Sequence, residues 1–401
     1  MMKWGPGASI IPDRNKFSKV VCTVVKKTFQ RADLTSPTFP AYPFDMAKDY
    51  SLTGTAAREA IATGLADGTW FRPDVDRDAI RALMVKSDAI ALKDTALWLG
   101  TMIVTAGIAI LLWPSWWSLP FWFVYGVMYG SASDSRWHEC GHRTAFKTDW
   151  MNSVVYHIAS FMLMRNPYVW RSSHVRHHTD TIIVGRDPEI VAMRPPDLVK
   201  LLLNIFGLVN LSVFGRRMVL HARGRLHPDE ATFVRDQDRR KVFIVARIWI
   251  AIYAATAGLA LWMGSFLPLM IVGLPMLYGA WHHIMTGVLQ HLGLAENVKD
   301  HRLNTRTVLM NPVSRFIYLN MNYHVEHHMF TMVPYYRLPD LHALIGHDLP
   351  APEPSIWAAY TRVAPVLLRQ LRFEDAVIIP DLPDGAPPYG DEVNALRPHA
   401  V

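Results

Sequence analysis

Eight of the eighteen histidines in this chain stand in three short clusters: His138 and His142 in HECGH, His174, His177 and His178 in HVRHH, and His324, His327 and His328 in HVEHH. At the chain's own histidine frequency, one HxxHH arises by chance with an expectation of about 0.04, so two are not accidental. Imidazoles at i and i+4, or at i, i+3 and i+4, share one side of a helix, so each box can turn its rings inward from one element. Neutral imidazole suits iron, zinc, copper and nickel alike, so ligand softness does not name the metal. The count says more. A zinc ion closes with four protein ligands or fewer, and eight or more histidines imply two ions.

His291 is a ninth candidate, because the chain returns it to the same surface as the boxes. His282 and His283 lie more than two turns earlier, deeper in the bilayer, where a buried ionisable group is functional by default, but they are weaker candidates as ligands. His157, His221, His227, His301, His342, His347 and His399 have no partner spacing and are assigned no role. A ligating imidazole gives its second nitrogen to a carboxylate or carbonyl, which sets its tautomer. Glu139, Asp180 and Glu326, within or just after the boxes, are the candidates for that task, with Asp134 a weaker one.

The elements that position the boxes are legible in the hydropathy. Residues 95–133 and 248–281 contain no Asp, Glu, Lys, Arg or His, and 51% of the whole chain is apolar. Each stretch is long enough for two membrane passes of about 20 residues. Each breaks near its middle, at PSWWSLP (114–120) and GSFLP (264–268). The expectation is an all-α integral membrane protein. Its four transmembrane helices, at about 95–113, 120–137, 242–262 and 267–290, form two hairpins, and a cytoplasmic helical cap holds a histidine-rich di-metal site. Lys93, Arg136, Arg143, Arg239, Arg240, Lys241 and Arg247 flank the spans while the tips are uncharged, so the positive-inside bias puts both termini and all three boxes in the cytoplasm. Trp98, Trp113, Trp116, Trp117, Trp122 and Trp262 suit an interfacial aromatic belt.

The remainder is organised around that domain. Residues 1–54 form an N-terminal arm without the apolar core of a cleavable signal peptide, so the first hairpin directs insertion. The membrane domain covers 55–375. Short amphipathic helices are expected at 55–65 and 76–88, apolar segments lying on the membrane at 153–164 and 197–214, a solvated segment at 222–241 and a helix at 355–371. A mobile, Pro-rich tail follows at 376–401. The net charge of +7 fits anionic headgroups. It does not point to nucleic acid, because no basic run is interleaved with aromatics. Cys22 and Cys140 fall on the reducing side, and the histidines suffice without Cys140 as a ligand.

The three boxes, in this order and with these hairpins, resemble the membrane fatty-acid desaturase superfamily, which includes alkane hydroxylases and carotenoid oxygenases, over about residues 75–370. The surrounding DSRWHECGHRTAFKTDWMN, HHTDTIIVGRDPE and NMNYHVEHHMF are similar to a bacterial desaturase-like branch that includes the oxygenase component of rhizopine catabolism. The resemblance implies a di-iron centre, with the ligand role carried onto the eight box histidines and His291. It also implies O2 as co-substrate, externally supplied electrons and attack on an unactivated C–H bond at a bacterial inner membrane. One departure is Gly287, where some desaturases place an Asn that holds a metal-bound water. No His-Pro-Gly-Gly or Cys-rich iron–sulfur pattern is present, so ferredoxin and its reductase, or equivalent donors, are the expected partners besides membrane lipid. A membrane zinc hydrolase and a metal transporter are the competing classes. The substrate stays open among an acyl chain, an alkane and a small methylated compound. Arg165, Asn166, Trp170 and Arg171 stand where they could hold a polar headgroup.

Overall fold

The computed structural model describes residues 48–401, and among these the regular elements are helices, with two isolated β-bridges and no strand. The arm expected at 1–54, with Cys22, lies almost wholly outside the described residues. Its last residues are tied down, since Lys48 Nζ and Tyr50 Oη lie 3.2 and 2.7 Å from the Glu296 carboxylate.

Two helices are long and apolar enough to cross a membrane: Asp88–Leu111, with mean hydropathy 1.6, and Asp236–Met263, with 1.9. Their outer faces carry large apolar side chains such as Leu111, Leu261 and Trp262, each more than four-fifths exposed. Such a surface is costly in water and natural in lipid. Trp116 and Trp117, at the first tip, are each more than three-quarters exposed. Trp98 and Trp122 depart from the aromatic-belt reading, because both are buried, and Trp98 Nε1 donates to the Met128 carbonyl at 2.8 Å.

The return limb of each hairpin differs from the simple span expected. At 120–137 the chain runs as Leu119–Gly126, then a π-helical turn at Val127–Ala132, then Ser133–His142. The π turn lies where backbones meet. A Cβ on Gly279 would come 1.8 Å from the Gly126 carbonyl oxygen, and one on Gly130 would come 2.8 Å from the Gly279 carbonyl carbon. Ser131 Oγ seals the contact by donating to the Gly279 carbonyl at 2.6 Å. An extra residue in one turn rotates everything after it, so this turn helps set the angle at which the first box enters the site.

The fourth expected span, 267–290, is three short helices, Leu267–Ile271, Pro275–Tyr278 and Trp281–Leu289. Pro275 lacks the N–H that would continue the ladder, and Gly273 adopts φ +97° just before it. The apolar segment at 197–214 is a bent pair, Leu198–Ile205 and Leu208–Ala222, meeting at 87°.

Two further expectations are corrected. The segment 222–241 is not simply solvated, because Glu230, Val234 and Asp238 are buried and Glu230 accepts from His221 Nε2 at 2.8 Å. The tail at 376–401 is packed. Val377 bridges Ala400, Val377 and Ile378 are buried, and the wholly buried Arg302, doubly paired with Asp300, donates to the Pro387 carbonyl at 2.7 Å. Composition suggested mobility because Pro and Asp lower local propensity, whereas here long-range partners hold the chain.

Candidate metal centre

The boxes sit on the helices Ser133–His142, Pro167–Thr179 and His324–Met329. Together with His291 they gather nine imidazoles into two clusters, one of His138, His142, His174, His178 and His327, the other of His177, His291, His324 and His328. Within each cluster, one ring nitrogen from every member lies within 4.8 Å of the others. The split follows from helix geometry. Residues i and i+4 differ by about 40° around the axis, while i+3 and i+4 differ by about 100°, so an HxxHH box facing two centres parts its rings. The second box sends its i, i+4 pair to the first cluster and His177 to the second. The third box does the reverse, sending its pair to the second cluster and His327 to the first.

The ring nitrogens face each other closely. Nε2 of His174 lies 3.0 Å from that of His142 and 3.1 Å from that of His178. Nε2 of His324 lies 3.1 Å from that of His328 and 3.3 Å from that of His291. Two lone pairs at such spacing repel, whereas two nitrogens each ~2.1 Å from one first-row ion stand about 3.0–3.4 Å apart. His138 adds a buried ring with neither nitrogen hydrogen-bonded, and His178 and His327 add two buried Nδ1 atoms without partners. This donor set fits two cations. Burial, and then repulsion among neighbouring rings, holds His142, His178, His324, His327 and His328 well below the usual imidazole value. Neutral imidazole is the ligand form.

The outer nitrogens are oriented by groups the sequence reading did not pick. His177 Nδ1 donates to Asp187 Oδ2 at 2.8 Å, and His174 Nδ1 to Glu189 Oε2 at 2.9 Å. Asp187 outweighs the burial that would lower His177, and raises it. His174, chiefly, overcomes the burial that would raise Glu189 and holds its carboxyl at about 2. His291 Nδ1 donates to the Asn304 carbonyl at 2.8 Å. Thr181 donates its hydroxyl to the His177 carbonyl at 2.7 Å, so the same oxygen is free to accept from His328 Nδ1 at 3.2 Å. The Gln290 amide lies 3.0 Å from His324 Nδ1 and accepts from it when its oxygen is turned to the ring. Each such acceptor selects the tautomer that leaves Nε2 free.

Glu139, Asp180 and Glu326 do not touch the box rings, and this corrects the sequence reading. Glu139 accepts from Thr144 Oγ1 at 2.6 Å and the Tyr335 N–H at 3.1 Å, and its burial pushes the carboxyl up to about 7. Asp180 pairs with Arg186, at 3.1 Å, and Glu326 with Thr307, at 2.6 Å, and with His342. For Glu139 and Glu326 the reason is angular, since a residue next to a ligand on a helix points about 100° away from it, and Asp180 lies just past the end of its helix. Asp187 and Glu189 arrive because the chain reverses after Thr179, with Ile182 at φ +53° and Gly185 at φ +76°. A Cβ on Gly185 would come 2.5 Å from the Ala57 backbone nitrogen. A turn glycine followed by two acids in GRDPE was the available signal.

Two histidines given no role lie beside the centre. The ring of His301 is buried, stacked on Trp70 at 4.1 Å and 5.0 Å from that of His328, and His342 braces Glu326. Cys140 is buried in the apolar core. A cavity of about 550 Å³ reaches both clusters, with His138 and His174 from one and His177, His291 and His324 from the other in its wall. Gly287 lines it too, and a Cβ there would meet only Tyr318 Oη, at 3.6 Å.

Described residues whose regular elements are all helices, with membrane-type helices, two histidine clusters and a cavity that borders both, define the class as a histidine-rich metalloprotein of the membrane. Comparison with known proteins narrows this class. The chain belongs to the fatty acid desaturase family, whose pattern it matches over residues 114–360. It is similar to a chloroplastic omega-3 fatty acid desaturase of Glycine max, 25% identical over 253 residues, or 57% of this chain and 53% of the relative. The acyl-lipid omega-3 desaturase (cytochrome b5) of the Arabidopsis thaliana endoplasmic reticulum is 25% identical over 261 residues, covering 59% and 64%. The temperature-sensitive sn-2 acyl-lipid omega-3 desaturase (ferredoxin) of Arabidopsis thaliana chloroplasts is 24% identical over 247 residues, covering 57% and 55%. The match thus spans between half and two thirds of these curated relatives.

Proposed function

We propose that this protein is an O2- and reductant-dependent membrane oxidoreductase that attacks an unactivated C–H bond, by desaturation or hydroxylation, with two iron ions held by the nine histidines. The observation that carries this reading is the partition of those histidines into a cluster of five and a cluster of four, both bordering one cavity. Bound iron supplies O2 activation, which side chains alone do not perform. The chain's own residues do the rest. His138, His142, His174, His178 and His327 hold one ion, and His177, His291, His324 and His328 the other. Asp187, Glu189, Thr181 and the Asn304 carbonyl keep the outer nitrogens protonated and the inner ones free, as does Gln290 with its amide oxygen turned to His324. The cavity seats the substrate carbon against both clusters and limits access of bulk water.

Family membership supports iron over zinc, as does the cluster of five, which holds one histidine more than closes a zinc site. Relatives named for ferredoxin and for cytochrome b5 support an external one-electron carrier. The four-pass topology, with the return limbs broken, rests on the apolar stretches, the cytoplasmic side of the boxes on the charges that flank them, and the inner-membrane location on the resemblance to the bacterial branch. Metal analysis with product profiling tests the proposal. Wild type is expected to hold about two iron per chain and His327→Ala fewer, and only cells with the wild type gain an oxidised product in their lipid or small-molecule pool. One zinc with no iron would sink the reading.

A further inference from the structure

The polar wall of the cavity bears on what it holds. Asp134 lies one turn before His138 on the same face of its helix, and its Oδ1 accepts from Arg165 Nη1 at 2.5 Å. Both side chains are more than four-fifths buried, and both line the cavity. The Arg165 guanidinium is ringed by Trp137 at 4.7 Å, Trp170 at 5.1 Å and Phe214 at 5.7 Å. The Trp137 ring in turn lies 5.6 Å from that of His174. The charged pair therefore stands one aromatic ring away from the metal ligands.

Around the pair, polar atoms are left over. Arg165 Nε, Trp137 Nε1 and His283 Nδ1 are buried without a protein partner, and all three residues line this cavity. A buried donor without an acceptor is rare and costs free energy, so the Arg165 and Trp137 N–H groups on one wall call for a ligand that accepts, while the His283 nitrogen takes either role with its tautomer. The Asp134 carboxylate beside them calls for one that also donates. A hydroxyl does both. A methylene does neither, and packing a hydrocarbon chain here would dry an ion pair without replacing its water. A second charged pair, Arg217 and Glu230 at 3.6 Å, lines the cavity as well. A volume of about 550 Å³ is in the range of small-molecule sites.

Taking the oxidative reading of the metal centre as given, we infer that the substrate is a small hydroxylated molecule, seated with its hydroxyl groups on Asp134 and Arg165, rather than the hydrocarbon chain of a lipid. The pair then acts as the specificity determinant that holds one C–H bond against the clusters.

The test uses iron-replete full-length protein with ferredoxin, reductase and NADPH, offered two probes in parallel. One is an aqueous extract of small metabolites from the native cells, and the other is vesicles of phosphatidylethanolamine and phosphatidylglycerol with monounsaturated chains. Mass spectrometry reads consumption. The expected result is loss of a hydroxylated compound from the extract, with the vesicle chains unchanged. Removing only one charge would strand the other and risk misfolding, so the variant is the double substitution Asp134→Leu with Arg165→Met. It is expected to keep wild-type iron content and Tm while kcat/KM for that compound falls about 10- to 100-fold. Oxidation of the vesicle chains alone would overturn this inference and leave the C–H oxidase reading standing. A double variant with wild-type kcat/KM would also overturn it, by showing that the pair is structural. Iron-replete wild type that consumes neither probe would remove both readings together.

Discussion

Asp187→Asn tests how far the shell around the histidines controls the metal. Asp187 is buried and makes three hydrogen bonds: Oδ2 accepts from His177 Nδ1 and the Ile182 N–H, and Oδ1 from the Glu189 N–H, all at 2.8 Å. Asparagine has the same shape but only one oxygen. If that oxygen takes the Oδ2 place, the amide nitrogen meets the Glu189 N–H. If it takes the other, the amide nitrogen meets His177 and Ile182. One arrangement loses a bond worth about 1.5–3 kcal/mol to a charged acceptor. The other drives His177 into the tautomer whose Nε2 carries the proton and cannot bind a metal. The second weakens the ion of the His177 cluster directly, and the first leaves His177 only a neutral acceptor; loss of such a partner lowers affinity by about 10- to 100-fold, or ~1.4–2.7 kcal/mol. The assay is chelator competition on iron-loaded protein. The ion of the His177, His291, His324 and His328 cluster is expected to leave at 10- to 100-fold lower chelator, with the other ion, touched only through Glu189, less affected. Both ions leaving together at the wild-type chelator concentration would refute the reasoning.

Three further outcomes follow from the same geometry. His327→Ala and His328→Ala, though adjacent, are expected to weaken different ions, each leaving about one tightly held ion per chain by metal analysis; loss of the same ion in both would contradict the partition. Because seven of the nine rings have folded pKa values well below that of an unfolded histidine, the unfolded chain takes up protons below about pH 6.5 that the folded chain refuses. Stability of the metal-free protein is therefore full above that pH and lost as pH falls below it, and a Tm unchanged between pH 7.5 and 5 would count against this. Gly130→Ala places a Cβ 2.8 Å from the Gly279 carbonyl carbon and the Pro275 carbonyl oxygen, while Gly100→Ala meets nothing within 4 Å. The first is expected to cost about 1–3 kcal/mol, seen as a lowered Tm, and the second to leave Tm nearly unchanged.

Legibility followed the range of the interaction that decides each feature. The histidine boxes and the apolar stretches are local patterns, with spacings of three and four residues or runs of about twenty, and both stand out without a partner in view. Breaks in the return limbs were partly readable, since Pro268, Gly273 and Pro275 sit inside the fourth apolar run. The π turn at Val127–Ala132 was not, because it is set by the approach of Gly279 from about 150 residues away. Glu139 and Glu326 misled because nearness in sequence is not nearness around a helix axis. Asp187 and Glu189 reach rings 10 and 15 residues back only through the reversal at Ile182 and Gly185.

By itself, then, the sequence determined the donor type, the helical carriers and the membrane character, since each depends on composition and short-range periodicity alone. Only the tertiary structure decided which histidine faces which cluster, because that depends on where the second and third box helices cross, and on angles set by elements far apart in the chain. The same long-range packing brought Asp134 and Arg165 to one wall of the cavity, where their charge bears on what the metal centre is offered.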